Sequence, residues 1–188
     1  NFDIVTMIPG NQGPASISGR LLNALNNQAI TSGLTVRIRP GIGVNSGPYA
    51  LDANNQTIGV VTSAADGSYV IPNVPAGNYT IEITGAGFAT TYETVISAGA
   101  SSSNQNILVS PTLGADEVRI VLSWNATPKD VDSHLEYGNA ACLDGGNKCQ
   151  VVWNQKSKLG GDLTLDVDVV TGFGPETTTL KGTVWTSP

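Results

Sequence analysis

Asp130 and Asp132 lie two residues apart, and so do Asp166 and Asp168. In strand-like sequence, side chains two apart project to the same face, so each pair is read as two carboxylates side by side. Four carboxylates converging away from bulk water repel one another unless a cation neutralises them, and a ligand set made only of oxygen suits Ca²⁺. Glu176, just after Gly174-Pro175, is a candidate fifth ligand. The alternative is that each Asp caps a turn or faces solvent, because the spacing is not that of an EF-hand loop.

Other chemistry finds little footing. His134 is the sole histidine, whereas a zinc site takes several nitrogen or sulfur ligands. Asp132, Ser133 and His134 are consecutive, and neighbours on a strand point opposite ways, so they do not make a catalytic triad. The chain has no glycine-rich phosphate loop, haem-attachment motif or nucleophile elbow. The reading is a protein that is not an enzyme. Trp153 and Trp185 are either sugar-stacking platforms or core residues, and Trp124, in an apolar strand, reads as core. Cys142 and Cys149 flank a short polar loop, where a disulfide forms in an oxidising compartment; two free thiols are the alternative.

Composition points the same way. Only 13% of the 188 residues are charged, and Asn, Ser, Thr and Gly fill the deficit, as is common in exported β-rich proteins. A net charge of −6 repels polyphosphate, which argues against nucleic acid as a partner and favours metal cations. No apolar run reaches the length of a membrane span. Asn55, Asn78 and Asn125 open glycosylation sequons, a number that chance alone supplies in so Asn- and Thr-rich a chain.

The elements that must position these residues are short strands. Asp66-Gly67 is a turn dipeptide, Tyr69 and Ile71 alternate with polar or small neighbours, Pro72 and Pro75 are expected to end that strand, and Tyr79, Ile81 and Ile83 form a second period-two row. With Ile17-Ser18-Gly19-Arg20 upstream and Gly85-Ala86-Gly87-Phe88 downstream, this order resembles the carboxypeptidase regulatory-like family. That resemblance implies a transthyretin-like β-sandwich. An insertion from Pro40 to Gln56, rich in Gly, Asn and Pro, reads as a long surface loop.

Leu113-Gly114-Ala115 reads as a boundary. Beyond it, Trp124, Pro128, Asp130-Val131-Asp132-Ser133-His134-Leu135, Leu165-Asp166-Val167-Asp168 and Gly172-Phe173-Gly174-Pro175-Glu176 resemble a bacterial domain family of unknown function found in exported, multidomain proteins. The predicted architecture is all-β with negligible helix: an extended strand and linker over 1–15, a transthyretin-like sandwich over 16–114, and over 115–188 a second sandwich module, short of strands on its own. The run Phe2, Ile4, Val5, Met7 and Ile8 is either the first strand of its own sandwich or a strand lent to a neighbour's sheet.

The function expected is that of a non-catalytic secreted or cell-surface protein, structural or adhesive. Its partners would be other copies of itself or neighbouring surface-protein domains, with strand donation as a route to filaments. The alternatives are a calcium-dependent module that binds glycans or protein, and an accessory domain of a larger exported enzyme.

Overall fold

A computed structural model describes residues 14–124, 126–138 and 148–182. The chain is all-β apart from a single 3₁₀ turn at Leu159–Gly161. It divides into two compact units, one of Asn1–Asn23 and Gln28–Val109, the other of Ala24–Asn27 and Ser110–Pro188. The division thus falls at Val109/Ser110 rather than at residue 114, and the second unit takes in four residues of an earlier loop.

Unit 1 packs two sheets face to face. One has the order β4 (Ser68–Val74), β1 (Ala15–Asn23), β7 (Ile107–Val109); the other runs β3 (Val61–Thr62), β2 (Thr35–Pro40), β5 (Gly77–Thr84), β6 (Thr91–Ser97). The period-two rows meet between them: Ile17 and Leu21, Val36 and Ile38, Tyr69 and Ile71, and Ile81 and Ile83 are all in one buried cluster. Strand β4 pairs with β1 while β5 pairs with β2 and β6, so the chain crosses from one sheet to the other at Pro75-Ala76. Pro72 does not end β4, contrary to expectation. The β1–β4 register slips by one residue between Ala15/Ile17 and Val74/Ile71, and Asn73 takes φ +59°, so the extra residue is absorbed in a bulge that lets the strand continue to Val74.

The insertion after β2 is more than a surface loop. It folds onto the outer face of β5, where the Thr80 hydroxyl donates to the Gly41 carbonyl at 2.8 Å and accepts the Val44 N–H at 3.0 Å. Beside them the Arg39 guanidinium donates to Glu82 Oε2 from Nη2 at 2.8 Å and from Nε at 3.2 Å, and the Tyr49 hydroxyl donates to Glu82 Oε1 at 3.0 Å. Two cations lie over the Tyr49 ring, the Arg39 guanidinium 4.1 Å and that of Arg37 4.8 Å from its centroid. Central strand β5 is therefore buried on both faces.

Burial pushes the Glu82 carboxyl up, but its hydrogen bonds from Arg39 and Tyr49 outweigh that, and the net shift is downward. A depressed folded-state value means stabilisation that is complete above the unfolded carboxyl pKa, about 4.3, and is lost as pH falls through the lower folded value. Acid melts of the wild type are thus expected to fall more steeply below about pH 4.3 than those of Glu82→Gln, which has no such proton to take up. Parallel melting-temperature profiles for the two proteins would remove this network from the acid response.

Unit 2 contains a four-stranded sheet, β11 (Ser157–Lys158), β12 (Leu163–Val167), β13 (Glu176–Lys181), β8 (Glu117–Leu122), and a two-stranded sheet, β10 (Lys148–Val151) with β9 (Leu135–Gly138). Leu163, Leu165 and Leu180 pack with Cys149 and Val151 as its core, flanked by Leu135, Tyr137 and Leu159.

Candidate metal centre and an open strand edge

Two loops build the acidic site. The segment after β8 carries Asp130 and Asp132 through irregular backbone, not strand, so their shared direction does not come from strand alternation. The segment after β12 carries Asp168 and leads to Glu176, the first residue of β13. The Gly172 N–H donates to the Lys129 carbonyl at 2.5 Å, fastening one loop to the other. Gly172 has φ +87°, and a Cβ there would stand 2.9 Å from the Ala126 carbonyl oxygen, so only glycine permits this approach.

Three of the five expected ligands come together. One carboxylate oxygen from each of Asp130, Asp132 and Asp168 lies within 4.8 Å of the others. Asp166 does not join them. The β12–β13 register shifts between Leu165 and Val167, so Asp166 is the extra residue of a bulge, and Asp166 and Asp168 no longer share a face. The Asp166 carboxylate instead accepts hydrogen bonds from the hydroxyls of Thr164 at 2.9 Å and Thr179 at 2.6 Å.

Glu176 is buried, 1% exposed, and its carboxylate is not among the three that lie within 4.8 Å of one another. Its Oε2 accepts the Ser133 N–H, while Oε1 is buried with no hydrogen-bond partner among the described residues. Burial pushes the Glu176 carboxyl up; the Ser133 bond opposes this, and the charges of Asp168 and Asp132 add to the rise. Lys156 Nζ stands 2.9 Å from Asp168 Oδ2 and balances one of the charges. His134 is exposed next to this group.

The other feature of unit 2 is an edge. Residues directly opposite in an antiparallel pair share a face, so Val118, opposite Leu180, and Ile120, opposite Thr178, lie on the core side of the sheet. Leu180 and Thr178 are buried, yet Val118 is 42% and Ile120 49% exposed. Strand β8 ends the sheet, with no strand on its far side among the described residues. Arg119 does not shield it, because its guanidinium turns back to the Thr179 hydroxyl at 3.0 Å, the Ser110 hydroxyl at 2.7 Å and the Pro111 carbonyl at 3.0 Å.

Several expected site residues fare differently. Phe2, Ile4, Val5, Met7 and Ile8, the expected donor strand, lie outside the described residues, as does Trp185. Cys149 is fully buried in the unit 2 core, and no cysteine among the described residues is a free thiol, but Cys142 lies outside them, so the expected bridge stands as a proposal. Trp153 is 53% exposed, as a stacking platform would be and a core residue would not. Trp124 is only half-buried, and its indole N–H has no hydrogen-bond partner among the described residues. Sequence reasoning also missed a cleft of about 420 Å³ in unit 1, lined by Ser18, Arg20, Ser68, Tyr69, Asn104 and Asn106 among others. The amide run Asn104-Gln105-Asn106 was its only sequence signal.

These observations define an all-β protein built from sandwich modules. The family model of the carboxypeptidase regulatory-like domain matches residues 16–110, and the chain belongs to that family. No curated protein matches the chain. Among solved structures, a type II cohesin–X–dockerin complex from Acetivibrio cellulolyticus is 19% identical over 52% of this chain and 58% of that one, with a TM-score of 0.34. The shaft pilin SpaA of Lactobacillus rhamnosus GG is 15% identical over 53% of this chain and 48% of its own, with a TM-score of 0.39. This chain spans less than two thirds of either. A putative carbohydrate-binding protein from Pseudomonas aeruginosa is 18% identical over 53% of this chain and 90% of its own, at a TM-score of 0.34. At these scores the likenesses carry no weight for what this chain does.

Proposed function

We propose that this is a structural module of an exported or cell-surface protein, non-catalytic, that joins to further copies of itself through the edge of β8. The single observation behind this reading is the open core-side face at Val118 and Ile120, continuous with the buried Leu180 and Thr178. A strand edge with apolar side chains beside it invites a further strand, since main-chain hydrogen bonds and side-chain burial are gained together. The occupant is the run Phe2 to Ile8 of another copy, which is apolar in sequence as the open face is and is joined to the first sandwich through Pro9-Gly10 to Pro14. Such a contact is head-to-tail and propagates into a filament. The second module is read as a member of the bacterial family of unknown function that its DVDSHL and GFGPE segments resemble.

Light scattering and electron microscopy of three proteins test this. The intact chain is expected to polymerise, whereas a chain lacking residues 1–10, and Ile120→Lys at the acceptor edge, are expected to stay monomeric with both units folded. A monomeric intact chain, or polymers that survive both changes, would end the reading.

A further inference from the structure

We propose that Asp130, Asp132 and Asp168 form a calcium site, with the buried Glu176 as a further ligand. A cation held at about 2.4 Å from its oxygen ligands admits ligand pairs up to about 4.8 Å apart, the span seen among these three carboxylates. Acidic side chains on a surface often cluster without an ion. What sets this cluster apart is Glu176, whose Oε1 is buried with no hydrogen-bond partner among the described residues and whose Oε2 accepts the N–H of Ser133, next in sequence to Asp132. A buried carboxylate oxygen without a donor is costly to leave so, and a cation between it and the three aspartates removes the deficit.

The ligand set is all oxygen and carries more negative charge than Lys156 balances at Asp168, which favours a hard divalent ion. The irregular backbone at Asp130 and Asp132 and their solvent exposure leave room for water to complete the six to eight positions that calcium takes. An ion here would tie the loop after β8 to the loop after β12, the same two that the Gly172 to Lys129 hydrogen bond already joins. The site does not depend on assembly through β8, so either can fail without the other.

Calorimetric titration of the full chain with calcium chloride, paired with thermal melts in calcium and in chelator, is the test. The wild type is expected to bind and to melt several degrees higher in calcium, because an ion that binds only the folded state stabilises it. Asp166→Asn is expected to bind like the wild type, since its carboxylate is engaged by Thr164 and Thr179. The double variant Asp130→Asn with Asp132→Asn, both at exposed positions, is expected to bind at least ten-fold more weakly with its circular dichroism unchanged. Glu176→Gln keeps the shape of the buried side chain and is expected to lose affinity too. No binding by the wild type at millimolar calcium, an affinity untouched in the double variant, or an equal loss in Asp166→Asn would overturn the site.

Discussion

Gly19→Ala is expected to cost unit 1 about 3 kcal/mol or more, the upper end for forcing atoms into a packed site. A Cβ at Gly19 would stand 2.0 Å from the Gln105 carbonyl oxygen and 2.4 Å from its carbon, and these are backbone atoms that no rotamer change can move. To make room, the 102–106 segment would have to leave β1. It would surrender the Gln105 N–H bond to Ser18 at 3.0 Å, the Ser18 N–H bond to Ser102 at 2.9 Å and the Tyr69 hydroxyl bond to Gln105 at 2.6 Å. Burial pushes the pKa of the Tyr69 hydroxyl up. Thermal unfolding reads the effect, roughly 4–8 °C for each kcal/mol in a domain of this size. Gly59→Ala is the control: nothing lies within 4 Å of a Cβ there, and its melting temperature should match the wild type's. Equal melting temperatures for the two variants would show that the 102–106 segment is not held against β1.

Ile81→Ala is expected to remove about 3 kcal/mol, within the range of about 2–5 for deleting a large buried aliphatic side chain. Ile81 is 0% exposed at the middle of β5, the strand that pairs on both sides and faces the other sheet, so little can collapse into the space left. Val70 offers the comparison. It is on β4 but 53% exposed, and Val70→Ala is expected to stay within about 0.5 kcal/mol of the wild type. Urea unfolding followed by near-ultraviolet circular dichroism distinguishes the two, and a small loss at Ile81 would mean that the two sheets do not pack as described.

Much of unit 1 was legible because its rules are local. Alternation at Ile17, Tyr69, Ile71, Ile81 and Ile83 sets which face is buried whatever the partner strand is, and Asp66-Gly67 turns the chain through positive φ at Gly67 and a hydrogen bond from the Ser68 N–H to Asp66 Oδ1 at 3.0 Å. The acidic residues of unit 2 stood out as a group for a similar reason: residue type and number are visible without any contact being known. What period-two alternation could not foresee was a bulge. One extra residue at Asp166 reverses the alternation beyond it, so Asp166 keeps the face of Thr164 and Thr179 while Asp168 is carried to the other, and one at Pro72-Asn73 lets a proline-containing strand continue.

By itself the sequence determined the all-β class, the order of most strands, the family of the first module and the oxygen-rich character of the second, because each depends on residue type and short spacing. Only the tertiary structure decided that the Pro40 to Gln56 insertion buries the Arg39–Glu82 pair, that Asp168 rather than Asp166 stands with Asp130 and Asp132, and that Val118 and Ile120 face an open edge. Each of these depends on which distant segment lies alongside, and that is set by strand register and loop packing summed over the fold, quantities that no local pattern encodes.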